Sequence, residues 1–126
     1  MSRLRADEPL RPWLRLAAAW LAIAACAGAA GAGEPSRRIV SLNLCTDQIL
    51  LDLVPRERIA GVSWVASDPN VSAVVAEVRG LTLVAGIAEE ILALDPDLIV
   101  AGSFTTPATV DLLRRLGRRV VVVPLA

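Results

Sequence analysis

Few side chains in this sequence could do chemistry. Cys45 and Asp47 stand together in Asn43-Leu44-Cys45-Thr46-Asp47, and Glu89 and Glu90 form an acidic pair further on. A cysteine nucleophile needs a nearby base to make its thiolate. Histidine is absent from the 126 residues, and all thirteen basic residues are arginine. That removes a histidine metal site, a histidine-based triad and a lysine Schiff base. Cys26 lies in an apolar N-terminal run, so Cys45 is alone in the rest of the chain, and a lone cysteine makes neither an internal disulfide nor a zinc cluster. Cys45 therefore reads as a small packed or rim residue. Asp47, just inside a predicted helix, complements the helix dipole.

The elements that would position these residues emerge from periodicity. Nearly continuous Val, Ile and Leu runs at 39–42, 59–63, 98–101 and 120–123 predict four strands of a parallel sheet covered on both faces. The intervening spacing predicts a helix capped by Thr46 and running to about Val54, with Ile49, Leu50 and Leu53 on one face. Valines at 71, 74, 75 and 78 predict a second helix over 69–78, weakened by β-branching, with Gly80 as its stop. A third is predicted over 88–94, and Asp95-Pro96-Asp97 turns the chain into the next strand. A fourth spans 107–116, with Thr106 as cap, Pro107 at its first position and Gly117 ending it. The order β-α-β-α-α-β-α-β is a Rossmann-like α/β fold, an open parallel sheet with right-handed crossovers.

In such sheets ligands meet the carboxyl ends of the strands. Four segments converge there, 43–46, 64–68, 84–87 and 102–106. They carry Asn43, Cys45, Thr46, Trp64, Ser67, Asp68, Ser103, Phe104 and Thr105, which are aromatic groups, small neutral donors and one carboxylate. Such a surface suits a bulky, weakly charged ligand. The first turn reads S-L-N-L-C-T-D and lacks the glycines of a phosphate loop, which argues against a dinucleotide.

The N-terminus reads as an export signal. Arg3, Arg5, Arg11 and Arg15 precede an uncharged stretch, 16–33, and Ala30-Gly31-Ala32 supplies the small residues of a cleavage site. The expected organisation is a signal peptide at 1–32 and a single domain at 33–126. Ile23-Ala24-Ala25-Cys26 also resembles a lipoprotein cleavage box, which would place a lipid on Cys26. Beyond residue 32, nine arginines face eleven acids, a net charge of −2. With no basic stripe, nucleic acid is not an expected partner. The last strand, expected to be central, lies at the very end of the chain with nothing to cover it, as in a fragment.

Three stretches carry a family resemblance: "RRIVSLNLCTDQILLDL", "ERIAGVSWVASDP" and "AEEILALDPDLIVAGSFTTPATVDLLRRLGRRVVVVP". Over residues 37–126 the chain resembles the N-terminal lobe of the helical-backbone periplasmic binding proteins. These are the substrate-binding components of ABC importers for cobalamin, iron–siderophores and haem. The resemblance implies a capture protein and no enzyme, with no resident cofactor and no metal site. It implies one lobe of a normally two-lobed protein, monomeric, that hands a metal chelate or corrinoid to a permease and meets the membrane only there or through a lipid. Glu89 matches the acid that docks onto permease arginines, and Glu90 is the neighbour that could replace it. Trp64 and Phe104 are the expected apolar ligand contacts. Lacking Tyr and His, the lobe offers no haem axial ligand of those types. Its loops lack the arginines that anionic catecholates need, so a neutral corrinoid or hydroxamate chelate fits better. The alternatives are a chelatase-like Rossmann enzyme with its catalytic groups downstream, and a non-functional truncated fragment.

Overall fold

The structure is a computed structural model that describes residues 33–124. The proposed signal sequence and Cys26 lie outside the described residues. From Pro35 onward the described residues form one compact unit. Its elements are β1 (Ile39–Ser41), α1 (Leu44–Leu53), β2 (Ile59–Ser63), β3 (Leu83–Val84), α2 (Ala88–Ala93), β4 (Leu98–Gly102), α3 (Pro107–Arg115) and β5 (Val120–Val123). Short 3-10 turns at Arg56–Arg58 and Trp64–Ser67 flank β2. All five strands are parallel, in the order β3-β2-β1-β4-β5.

Strand alternation divides the core between the two faces of the sheet. Ile39 and Val100 pack with Ile59, Val62 and Leu50 of α1 on one side. Val40 and Ile99 pack with Ala88 and Ile91 of α2 and Leu113 of α3 on the other. Helices therefore cover both faces, as the unbroken apolar strands require. Among the described residues no helix is long and apolar enough to cross a membrane.

Several expectations are corrected. A fifth strand, β3, reaches into the 84–87 stretch read as loop, pairing Ser63 with Val84. Two residues are too short to show a period. The predicted helix over 69–78 is instead a run of turns. Asp68 accepts from the Asn70 amide at 2.9 Å and Ser72 Oγ from the Val74 amide at 3.2 Å, local bonds that compete with a helix of β-branched valines. The strand at 120–123 pairs with β4 and has no second neighbour among the described residues.

Helix ends also differ from expectation. Asn43, not Thr46, caps α1, its Oδ1 accepting from the Cys45 amide at 3.0 Å. Thr106 stands at the N-cap of α3 but its side chain makes no capping bond. The far end of α3 is as expected. Gly117 at φ +77° lets its own amide reach Arg114 O at 2.9 Å and the Arg118 amide reach Leu113 O at 3.0 Å, closing the helix. At the amino end of the sheet, Asp97 accepts from the Arg37 and Arg38 amides at 2.6 and 3.2 Å. That carboxylate ties the entry to β1 to the turn before β4.

Candidate functional site

The chain leaves β1 to build β2 and β3 on one side, then returns to lay β4 on the other. The switch point lies between the carboxyl ends of β1 and β4, where open α/β sheets hold ligands. Two shallow cavities flank it. The first, about 170 Å³, is lined by residues that include Asn43 after β1, Ser63 and Trp64 at the end of β2, and Ala85 and Gly86 after β3. No charged side chain lines it. The second, about 190 Å³, lies over β4 and α3 and includes Ser103, Thr105, Asp111 and Arg114.

The turns that build the first cavity arise locally. Asn43 follows β1 with extended backbone and starts α1 by capping it. Trp64 opens a 3-10 turn straight after β2, and Ser67 Oγ donates back to Trp64 O at 2.7 Å. Gly86 comes after β3 at φ +85°, a left-handed conformation that disfavours any residue with a Cβ. Glu90 reaches back from α2 so that Ala85 N donates to its Oε2 at 2.9 Å, fixing this loop.

The predicted contact residues separate into groups. Asn43 and Trp64 line the first cavity, and Ser103 and Thr105 the second. Trp64 is 53% exposed and Phe104 79%, so both aromatics stand free on the rim, joined by Ile87 at 51%. Cys45 is exposed at the start of α1 and lines neither cavity. Asp68 stands beyond the Trp64 turn, its Oδ1 holding the Asn70 amide and side chain, each at 2.9 Å. Thr46 is wholly buried, its Oγ1 donating to Asn43 O at 2.8 Å and lying 2.7 Å from Ser41 Oγ. It braces the turn from behind. Of the acidic pair, Glu90 is engaged with the Ala85 amide, while Glu89 stands exposed in the first turn of α2.

Sequence reasoning missed Ser63, which no motif distinguishes, while Ala85 and Gly86 fall in the 84–87 segment expected at the ligand face. It also misread Asp47. That carboxylate is wholly buried, accepting from the Ser63 amide at 3.1 Å and from the Ser63 hydroxyl. Burial pushes its pKa above the ordinary aspartate value, and the hydroxyls of Ser41 and Ser63 and the Ser63 amide pull it partly back. Among the described residues no three His, Cys, Asp or Glu side chains converge as a metal site.

No family model matches the chain, and no curated protein sequence does either. Solved structures do. The periplasmic vitamin B12 binding protein BtuF of Vibrio cholerae is 28% identical with a TM-score of 0.56, over 70% of this chain and 34% of that one. The periplasmic heme-binding protein RhuT of Roseiflexus sp. RS-1 is 27% identical with a TM-score of 0.56, over 71% and 34%. A periplasmic heme binding protein of Pseudomonas aeruginosa, at 22% identity and TM-score 0.53 over 71% and 32%, shares the fold.

This chain has the fold of one lobe of a periplasmic ligand-binding protein.

The lobe spans about a third of the length of each of these solved proteins. They are solute-binding proteins and not enzymes. Both cavities of the lobe are smaller than the roughly 300–1,000 Å³ of ligand pockets. Each can supply one wall of a site, with the rim aromatics on the same carboxyl edge of the sheet.

Proposed function

We propose that the lobe forms one wall of the cleft in the substrate-binding component of an ABC importer. Its ligand is a bulky, weakly charged metal chelate or corrinoid of the cobalamin or ferric hydroxamate type. The observation that carries this is the first cavity, free of charged side chains and rimmed by the exposed Trp64. The likeness to vitamin B12- and heme-binding proteins supports a bulky metal chelate or corrinoid as the ligand. Asn43, Cys45, Trp64, Ser67, Asp68, Ser103, Phe104 and Thr105 make up the ligand edge, and the buried Thr46 braces it. Glu89 docks the permease, while Glu90 holds the adjoining loop. Export to the periplasm by residues 1–32, with or without a lipid on Cys26, completes the proposal.

Equilibrium titration with cyanocobalamin, a ferric trihydroxamate, a ferric catecholate and hemin tests it. Saturable binding of the corrinoid or the hydroxamate is expected, with the anionic catecholate weaker. Replacing Trp64 by Ala should weaken binding about tenfold, the equivalent of 1.4 kcal/mol of lost ring contact. No binding to any of the four would overturn the proposal.

A further inference from the structure

Asp47 is the only charged residue that is fully buried among the described residues. A carboxylate withdrawn from water is costly unless its oxygens are well bonded. Here both are. Oδ1 accepts from the Ser63 amide and Oδ2 from the Ser63 hydroxyl. The groups that influence its proton are Ser41 from β1 and Ser63 from β2, with no arginine or second carboxylate among them. Beside it, Thr46 joins Ser41 to the Asn43 carbonyl. The first turn of α1 is thereby fastened to the ends of both strands whose turns line the first cavity.

Two further observations show that the fold is built around this clasp. The helix turns Thr46, Asp47 and Leu50 inward and leaves Leu53 76% exposed, against its own hydrophobic pattern. Ser63, at the N-cap of the Trp64 turn, makes no capping bond because its hydroxyl goes to Asp47. The Trp64 turn is thus anchored to the sheet through Ser63, and Ser63 is held by Asp47.

We propose that Asp47 is a positioning residue for the cavity wall, setting through Ser63 the direction in which the Trp64 turn leaves β2. Its meaning for ligand capture rests on the proposed function, but its test needs no ligand, so either can fail while the other stands. The full chain carrying Trp13→Phe and Trp20→Phe leaves Trp64 as the sole tryptophan. In that background Asp47→Leu should shift Trp64 emission and raise its quenching by acrylamide, with the far-ultraviolet dichroism retained. Asp47→Asn should restore both signals, since its oxygen accepts from the Ser63 amide and its NH₂ donates to the Ser63 hydroxyl. Should Asp47→Leu not fold, Ser63→Ala, which removes only the hydroxyl, should move both signals in the same direction by less. Unchanged Trp64 emission and quenching in folded Asp47→Leu, or in folded Ser63→Ala, would overturn the proposal. So would an Asp47→Asn variant that behaves like Asp47→Leu.

Discussion

At the scale of single residues, the roles of Cys45 and Asp47 are opposite to their first impression. Cys45 looks reactive and is an exposed thiol near the start of a helix, with no histidine or lysine in the sequence to activate it. Asp47 looks like routine dipole complementation and is the buried tie between α1 and β2. Its raised pKa has a consequence for stability. The native state keeps the Asp47 proton to higher pH than the unfolded chain does. Asp47 therefore contributes stability that is fully present below the ordinary aspartate value of about 4 and is lost as pH rises through its native pKa. Urea unfolding across that range should show wild type gaining on Asp47→Asn as pH falls. A difference that stays constant with pH would mean the carboxyl titrates alike in both states.

At the scale of elements, capping chemistry decides where the cavity-lining turns sit. Asn43 starts α1 two residues after β1 ends and also lines the cavity, so a single side chain serves both the helix boundary and the cavity wall. Asn43→Ala removes the bond to the Cys45 amide and should cost about 1 kcal/mol of stability, as N-cap losses do. Denaturant midpoints measure this. A loss of only a few tenths would mean that the Thr46 hydroxyl on the Asn43 carbonyl holds the turn unaided. The strongly apolar strands and α3, with its proline at one end and glycine at the other, were legible from residue order. The 69–78 stretch was not. Its valines have helical spacing, but Asp68 and Ser72 offer local bonds that a spacing rule does not weigh.

At the scale of the whole molecule, the lobe presents a shallow wall built by turns and an exposed acid in the first turn of α2. In the proposed importer, Glu89 meets the permease while Glu90 stays occupied with the Ala85 amide. Glu89→Arg should therefore abolish uptake of the transported ligand in cells and leave solution affinity unchanged. Glu90→Ala should loosen the 84–87 loop and act first on binding. Uptake assays paired with titrations separate the two, and undiminished uptake by Glu89→Arg would remove it from the docking surface.

Sequence alone determined the parallel α/β sheet, because unbroken Val-Ile-Leu runs can be buried only between two layers of helices. It also excluded histidine, lysine and phosphate-loop chemistry by composition. Only the tertiary structure decided which side of α1 faces the sheet. Hydrophobic spacing put Ile49 and Leu53 inward, but Ile49 is 39% exposed and Leu53 lies outermost while Asp47 is enclosed. The amide and hydroxyl of Ser63, 16 residues from Asp47 in the sequence, meet that carboxylate only once β2 is laid beside β1. A buried polar contact between distant residues leaves no period in a sequence, and here it outweighs the period that is there.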